Sequence, residues 1–243
     1  MNKDETVILE QTQDITDNTQ SGSVDKTVEM CKTSTRNKKT RSIRGNDFLW
    51  RTKYIAWKND TNTKKLTNSK NLFKIFHQNI RGLKSKLDEL SNSLFPDYPN
   101  MMYLTEHHLK DYEIDNLPID QFKLGSKCCR QEFKNGGVCI FVHEDLDFFC
   151  ISLDKYCKEK DIEVCAVRLK ITPIQLIILA IYRSPSINFT NFLKNLYSIL
   201  NTWYNNKIEF VICGDININY LEKCKKRQQL DALLKTYNLM GIV

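Results

Sequence analysis

The sequence predicts an α/β fold of the α+β kind, in which helices cover mostly antiparallel and heavily apolar strands. Apolar runs of strand length alternate with stretches whose apolar residues recur at the helical period. The runs in the middle of the chain are rich in β-branched residues, which favour strands. Short connections join these runs, and short connections favour antiparallel pairing.

The length and composition fit one sizeable globular domain with a tail. The chain has 243 residues, of which 41% are hydrophobic, and a net charge of +7. The charge is unevenly distributed: residues 1–30 sum to about −5, residues 31–70 to about +10, and residues 71–243 to about +2. The basic excess therefore lies outside the predicted core.

Residues 1–70 are expected to be a mostly disordered tail, because they hold few periodic apolar positions. The stretch from Phe48 to Trp57 could form a short basic helix. The basic stretch 31–70 has two open interpretations, a solvated tail and a nucleic-acid-binding or nuclear-import tail. Its basic cluster consists of Arg36, Lys38, Lys39, Arg41 and Arg44.

The cysteine pattern indicates an intracellular protein of the nucleus or cytoplasm. The nine cysteines are odd in number and most lie in apolar runs, so we expect reduced, buried thiols and no secretion. The longest apolar run, Ile174 to Tyr182, is far shorter than the roughly 20 residues that a membrane helix needs. No membrane association is expected.

The predicted core begins at residue 71 with a strand over 72–76, which stops at Asn79 before a turn at Gly82. A helix follows over 83–94, because leucines recur there at steps of four, three and four. A second strand over 101–105 ends at Glu106.

Further apolar runs predict the remaining elements of the core. The predicted strands are 138–142, 164–169, 174–182 and 208–213, and the predicted helices are 189–203 and 230–237. The last of these strands stops at Gly214-Asp215.

Three of the predicted strands end in polar groups that suit metal or phosphate chemistry: Asn79, Glu106, and Asp215 with Asn217. Each is weak evidence alone, because Asp and Asn favour turns for local reasons. If the strand ends converge, Glu106 and Asp215 are the best-placed carboxylates for Mg²⁺, which takes oxygen ligands. The amides of Asn79 and Asn217 could stabilise charge that develops on a phosphodiester.

Five motifs follow one another along the chain: Gln78-Asn79-Ile80-Arg81-Gly82-Leu83, Leu104-Thr105-Glu106-His107-His108-Leu109, Gly136-Gly137-Val138, Ile181-Tyr182-Arg183-Ser184-Pro185 and Gly214-Asp215-Ile216-Asn217. Together they resemble the endonuclease/exonuclease/phosphatase superfamily, in particular the apurinic-type endonuclease domain of non-LTR retrotransposon polyproteins. The resemblance covers about residues 72–243 and implies a β-sandwich of two mixed, mostly antiparallel sheets flanked by helices.

The resemblance also implies roles for the strand-end residues. Glu106 is the expected principal ligand of Mg²⁺, with Mn²⁺ as an alternative ion, and Asn79 supports the metal or the phosphate. Asp215 orients or deprotonates the attacking water, and Asn217 holds the phosphate. Tyr182 contacts the scissile phosphate or its leaving oxygen, although a core aromatic that closes a strand remains the alternative.

The loop after Tyr182 matches the family's loop, and Arg183 within it is the expected substrate-binding cation. The implied activity is Mg²⁺-dependent phosphodiester hydrolysis by a DNA-nicking endonuclease of a retroelement. A phosphatase or an RNA-trimming exonuclease of the same fold is an alternative, because substrate loops decide specificity. An inactive retroelement relic or a nucleic-acid-binding fragment is a second alternative.

Relatives in this superfamily also carry a late Ser-Asp-His segment, which the printed sequence does not reach before Val243. From this we expect that the C-terminal strands are missing and that activity is impaired. The sequence does not decide whether it belongs to a longer polyprotein. None of the four histidines replaces the family's histidine by position. His107 is interpreted as a local variation rather than as a catalytic base.

Overall fold

The computed structural model describes residues 7–11, 55–57, 73–171, 174–205, 208–220 and 222–242. These residues form two mixed sheets. The six-stranded sheet contains, in spatial order, β11 (Leu239–Ile242), β1 (Val7–Gln11), β10 (Ile208–Asp215), β9 (Ile174–Tyr182), β8 (Glu163–Ile171) and β7 (Phe148–Ile151). The five-stranded sheet contains β2 (Ile55–Trp57), β3 (Phe73–Asn79), β4 (Met101–Thr105), β6 (Val138–His143) and β5 (Phe122–Cys128).

Four α-helices flank the sheets. They are α1 (Leu87–Leu94), α2 (Asp111–Asp115), α3 (Phe189–Trp203) and α4 (Lys225–Lys235). A short 3₁₀ turn, Lys84–Lys86, leads into α1, and a second one spans Asp154–Tyr156. Among the described residues, no helix is both long and apolar enough to cross a membrane.

The buried apolar residues form three layers, one between the two sheets and one on the outer face of each sheet. The middle layer is shared by the two sheets: Ile75, Tyr103 and Ile140 of the five-stranded sheet pack with Val167 and Ile178 of the six-stranded sheet. On the outer face of the six-stranded sheet lie the apolar residues of α3 and α4. The apolar residues of α1 and α2 cover the five-stranded sheet. The predicted fold class is confirmed.

Helix α3 shows why the predicted stripe is helical. Asn188 precedes the helix and its side chain accepts a hydrogen bond from the Thr190 amide at 2.9 Å, which satisfies one of the free N–H groups of the first turn. Phe192, Leu196 and Leu200 are spaced by four and are fully buried against the six-stranded sheet. Fully burying a side chain of this size contributes about 2 kcal/mol.

Most strand pairs are antiparallel, but each sheet contains one parallel pair. Strands β3 and β4 are parallel, with Asn79 beside Thr105. Strands β9 and β10 are also parallel, with Tyr182 beside Asp215. Parallel neighbours end at the same edge of a sheet, so each pair brings the polar residues that follow its two strands together.

The structure corrects the sequence-based elements in several places. Strands β3 and β10 run to Asn79 and Asp215, which are therefore the last residues of their strands. Strands β5, β7 and β11 and helix α2 were not predicted. Strand β1 pairs antiparallel with β10, and β11 pairs with β1.

Two segments of the first 70 residues belong to the sheets. Val7–Gln11 is β1, and Ile55–Trp57 pairs antiparallel with β3. The helix predicted from Phe48 to Trp57 is therefore wrong at its last three residues, where backbone pairing with β3 outweighs the local helical spacing. The other residues of the predicted tail lie outside the described residues.

Candidate active site

Asn79 joins the two sheets at the edge where both parallel pairs end. Its Nδ2 atom donates hydrogen bonds to Glu106 Oε1 and to Asp215 Oδ2, each at 3.0 Å. Because both carboxylate oxygens lie 3.0 Å from one nitrogen, they are no more than about 6 Å apart. The structure therefore brings the two predicted carboxylates and the predicted amide into one cluster.

The other end of the Asn79 amide is left without a partner. Two carboxylates can only accept hydrogen bonds, so they fix the NH₂ group toward themselves and turn Oδ1 away. Asn79 Oδ1 is buried, and no described residue donates a hydrogen bond to it. A buried polar atom without a partner is uncommon and points to a ligand or ion that would satisfy it.

Glu106 is held in an unusual backbone conformation. Its φ angle is 55°, in the left-handed region that non-glycine residues rarely adopt. Its N–H donates to the carbonyl of Gly137 at 2.8 Å, and its carbonyl accepts from the N–H of Gly82 at 2.8 Å. The two glycine loops fix the turn, and the Glu106 side chain remains 19% exposed. A ligand can therefore reach its carboxylate.

Asp215 is positioned by its neighbours along β10. A Cβ atom at Gly214 would overlap the carbonyl oxygen of Ile181, so only glycine allows β10 to approach β9 this closely. Asp215 Oδ1 accepts a hydrogen bond from the backbone N–H of Asn217 at 3.0 Å, which is the geometry of an Asx turn. That bond fixes the rotation of the carboxylate and leaves Oδ2 facing Asn79.

Asn217 lies at the site, and its side-chain amide already donates one hydrogen bond. Its φ angle is 53°, and its Nδ2 donates to the carbonyl of Arg183 at 2.7 Å. One amide hydrogen therefore holds the loop after β9, while the second is not used by that bond. The predicted phosphate contact by Asn217 remains a prediction.

Arg183 does not lie where a substrate-binding cation would have to be. Its side chain is completely buried, and its guanidinium donates to four backbone carbonyls. Those acceptors belong to Ile216, Ser184, Ile187 and Asn217. A completely buried guanidinium bonded to four carbonyls does not reach solvent, so this structure gives no support to the direct contact with phosphate that was predicted for Arg183.

Tyr182 ends β9 next to Asp215 and is buried. Burial raises the pKa of its phenol above the usual value, and the neighbouring charge of Glu106 raises it further. The phenol is therefore protonated at neutral pH and can act as a hydrogen-bond donor. The phenol of Tyr182 lies near the carboxylate of Glu106.

His108 is a site residue that the sequence did not indicate. Its Nε2 lies 3.7 Å from Glu106 Oε2, is buried, and has no hydrogen-bond partner among the described residues. Burial lowers the pKa of His108, while the nearby Glu106 raises it. The residues at 106 and 108 both have positive φ angles, and this double turn returns the His108 ring to Glu106. No feature of the sequence specifies such a turn.

The side chain of His107 is packed in the interior of the protein. It is fully buried, and its Nδ1 accepts a hydrogen bond from the N–H of Leu109 at 3.0 Å. Burial lowers its pKa to about 4, so the ring is neutral at physiological pH. This location is consistent with a local variation rather than a catalytic base.

The cluster contains oxygen ligands suited to a hard cation. Within the described part of the chain, no group of three or more His, Cys, Asp or Glu side chains is arranged to hold a metal ion. Mg²⁺ does not require such a cage, because it binds through one or two carboxylates and keeps several waters. The carboxylates of Glu106 and Asp215 fit that requirement. Asn79 can add its Oδ1 only when its amide turns over, because its NH₂ group faces both carboxylates in this structure.

Two mixed sheets flanked by helices, with polar residues converging at the ends of two parallel strand pairs, constitute the endonuclease/exonuclease/phosphatase fold. The endonuclease domain of TRAS1, a telomere-specific non-LTR retrotransposon, superposes with a TM-score of 0.51 at 14% identity, over 67% of this chain and 69% of that chain.

Two further solved structures are similar at lower TM-scores. The AP endonuclease LMAP from Leishmania major has a TM-score of 0.49 at 15% identity, over 67% of this chain and 66% of that one. The AP endonuclease from Archaeoglobus fulgidus has a TM-score of 0.47 at 18% identity, over 67% and 70% of the two chains. No family sequence model and no curated protein sequence matches the chain.

Proposed function

We propose that this chain is a metal-dependent phosphodiesterase that cleaves DNA. The observation that carries the proposal is the bridge from Asn79 to Glu106 and Asp215, which gathers two carboxylates around one amide at the edge where both sheets end. Carboxylates rarely lie this close without a cation to offset their repulsion, and a phosphodiester is the kind of substrate that such a metal site activates.

Glu106 would be the principal ligand of Mg²⁺ or Mn²⁺, and Asn79 would turn its amide over to present Oδ1 in place of the NH₂ group that now faces Glu106. The bound ion would act as a Lewis acid that neutralises charge on the phosphate. Asp215 would orient the attacking water and accept its proton, because the Asx turn fixes its carboxylate in one rotation. Tyr182, as a protonated phenol, would donate a hydrogen bond to a phosphate or leaving-group oxygen.

We further propose that the substrate is duplex DNA and that the activity is nicking by a retroelement endonuclease. The five motifs and the fold shared with the TRAS1 endonuclease domain support this finer proposal. Assays that vary the metal ion and the substrate test the metal dependence and the DNA preference separately.

The test is a nicking assay on supercoiled plasmid with Mg²⁺, with Mn²⁺ and with a chelator. Glu106→Gln and Asp215→Asn remove the charges at the site. Glu144→Gln is the matched control, because Glu144 is exposed just beyond the opposite end of β6. The expected result is metal-dependent nicking that each site variant lowers by about 100-fold or more, and that Glu144→Gln leaves unchanged.

Parallel substrates distinguish the alternatives within the fold. Release of phosphate from phosphomonoesters without nicking would identify a phosphatase, and trimming of end-labelled strands would identify an exonuclease. DNA binding with no turnover on any substrate would support the nucleic-acid-binding alternative and contradict the proposed activity.

We also propose that the basic stretch 31–70 adds sequence-independent affinity for nucleic acid. Neutralising phosphates with Lys and Arg releases counterions, so the contribution must fall steeply with salt. Replacing Arg36, Lys38, Lys39, Arg41 and Arg44 by Gln in the full chain should weaken DNA binding at low salt and flatten its salt dependence. An unchanged salt dependence would contradict this role.

A further inference from the structure

Arg130 forms a buried ion pair beside the candidate site. It follows β5 and is only 8% exposed. Its Nε donates to Glu163 Oε1 at 2.7 Å, and its Nη2 also contacts that oxygen and donates to Ser184 Oγ at 3.0 Å. Glu163 is completely buried. No role was assigned to either residue from the sequence.

Glu163 connects this ion pair to two parts of the fold. Its Oε2 accepts a hydrogen bond from the N–H of Gly137 at 2.5 Å. Its backbone pairs with Tyr182 across the β8–β9 ladder. The pair therefore ties the turn before β6, in the five-stranded sheet, to the ends of β8 and β9 in the six-stranded sheet.

Both of these parts hold candidate site residues. The carbonyls of Gly137 and Gly136 accept the N–H groups of Glu106 and His108 at 2.8 and 2.9 Å. The Arg130 guanidinium carbon lies 5.8 Å from the centre of the Tyr182 ring, within cation–π range. A Cβ atom at Gly136 would overlap the Arg130 guanidinium, so the turn and the arginine are packed tightly.

The energetics favour a positioning role over a purely stabilising one. Burying two charges costs most of what their attraction returns, and apolar residues of similar volume often stabilise such a position equally well. A guanidinium differs from an apolar side chain in its geometry, because it can direct several hydrogen bonds at fixed angles. Here those bonds go to Glu163 and to Ser184, the second residue after Tyr182.

We propose that Arg130 is a positioning residue for the phosphodiesterase reaction, which holds Tyr182 and the Gly136-Gly137 turn in place through its ion pair with Glu163. The proposal rests on the proposed function for its catalytic consequence. Its structural part, the placement of the Tyr182 ring, can be tested without turnover.

The test replaces both charges together, because removing one alone would leave the other buried and unpaired. In Arg130→Met/Glu163→Gln, the new amide oxygen can still accept from the Gly137 N–H. Arg168→Met is the matched control: Arg168 also lies over an aromatic ring, that of Phe149 at 5.4 Å, but five residues farther along β8, roughly 17 Å from Glu163.

The ring of Tyr182 is observed by ¹⁹F NMR after 3-fluorotyrosine is introduced at position 182 of the full chain. The expected result is one narrow resonance in the otherwise unchanged protein and in Arg168→Met, and a shifted or broadened resonance in the double variant. An unchanged resonance in the double variant overturns the proposal, and so does an equal change in Arg168→Met.

The kinetic arm measures kcat and KM for plasmid nicking. Misplacement of a site residue lowers kcat more than binding, so the double variant should lose at least about tenfold in kcat, with KM changed less than about threefold. An unchanged kcat overturns the catalytic part. If the unaltered chain shows no turnover, the proposed function has failed, and the ¹⁹F resonance alone decides the positioning role.

Arg130→Lys covers the case in which the double variant does not fold. It keeps the positive charge opposite Glu163 but lacks the guanidinium fork that reaches Glu163 and Ser184 together. The proposal expects the same shifted resonance and the same loss in kcat from this variant. Full retention of both would mean that charge alone suffices, which overturns the geometric role of Arg130.

Discussion

Arg183 and Asn217 hold each other by reciprocal hydrogen bonds. Arg183 Nη2 donates to the carbonyl of Asn217 at 2.8 Å, and Asn217 Nδ2 donates to the carbonyl of Arg183 at 2.7 Å. Since these residues follow β9 and β10, the exchange locks together the two loops next to Tyr182 and Asp215. The arginine that the sequence predicted to bind substrate is, in this structure, bonded to the backbone of the loop after β10.

The first prediction concerns Arg183→Met. This change leaves several buried carbonyls without donors, at about 1–3 kcal/mol each, so the free energy of unfolding should fall by about 3 kcal/mol or more. Urea unfolding followed by circular dichroism measures the loss. Arg168→Met, at a half-buried position, should change stability by less than about 1 kcal/mol. An Arg183 variant with the original stability but weaker DNA binding would restore the substrate-binding role.

The second prediction concerns Asn79→Asp. The change replaces the shared donor by a third carboxylate, so without metal the protein should lose about 1–3 kcal/mol of stability at pH 7. Added Mg²⁺ should raise the melting temperature of this variant more than that of the unaltered protein, because binding to the folded state stabilises it.

Thermal melts with and without Mg²⁺ check this second prediction. Asn191→Asp serves as the control, because Asn191 is exposed on α3, away from the two carboxylates. A metal response as small in Asn79→Asp as in Asn191→Asp would argue against a cation site between Glu106 and Asp215.

The third prediction concerns the pH dependence of stability. Burial lowers the pKa of His107 to about 4 in the folded protein, against about 6.5 for a histidine exposed to water. Below pH 6.5 the unfolded chain binds a proton that folded His107 does not, so falling pH favours unfolding. The contribution is complete above about pH 6.5, is lost progressively toward pH 4, and amounts to about 3 kcal/mol.

Urea unfolding at a series of pH values between 7 and 4 tests the His107 effect. His107→Gln removes the titrating group while an amide can still accept from the Leu109 N–H, so the slope in this window should flatten. Equal slopes for the original protein and His107→Gln would show that other groups set the acid sensitivity.

The fourth prediction concerns Gly214→Ala. The added methyl group would overlap the carbonyl oxygen of Ile181, and the φ angle of 153° is unfavourable for other residues. Strands β9 and β10 must then separate, so we expect a loss of about 3 kcal/mol or more, or failure to fold. Expression yield and urea unfolding report this. A variant of normal stability would mean that the parallel pair can move apart without cost.

Local patterns predicted much of the fold because its main elements carry clear periodicity. Helix α3 and strand β9 have the predicted bounds. Strand β5 escaped prediction because it contains Gly125 and two lysines and has a register shift between Leu124 and Ser126. Strand β7 is short and half its residues are exposed, so no alternation marks it.

The candidate site was predictable in its composition but not in its contacts. Strand ends indicated Asn79, Glu106 and Asp215, and the structure joins them through one amide. The burial of Arg183 depends on carbonyls about 34 residues away in sequence, which no local pattern encodes. The approach of His108 to Glu106 depends on left-handed backbone conformations at both of these residues, on either side of His107, and non-glycine residues rarely adopt that conformation.

The hydrogen bond from Asn79 to Asp215 spans 136 residues of sequence. During synthesis, Asn79 and Glu106 leave the ribosome long before Asp215 is made, so a nascent chain cannot hold the complete cluster at any earlier stage. Contacts of such long range also close late when the chain refolds, because the entropy of the intervening loop must be overcome first. A partly synthesised or partly folded molecule therefore lacks the complete cluster of Asn79, Glu106 and Asp215.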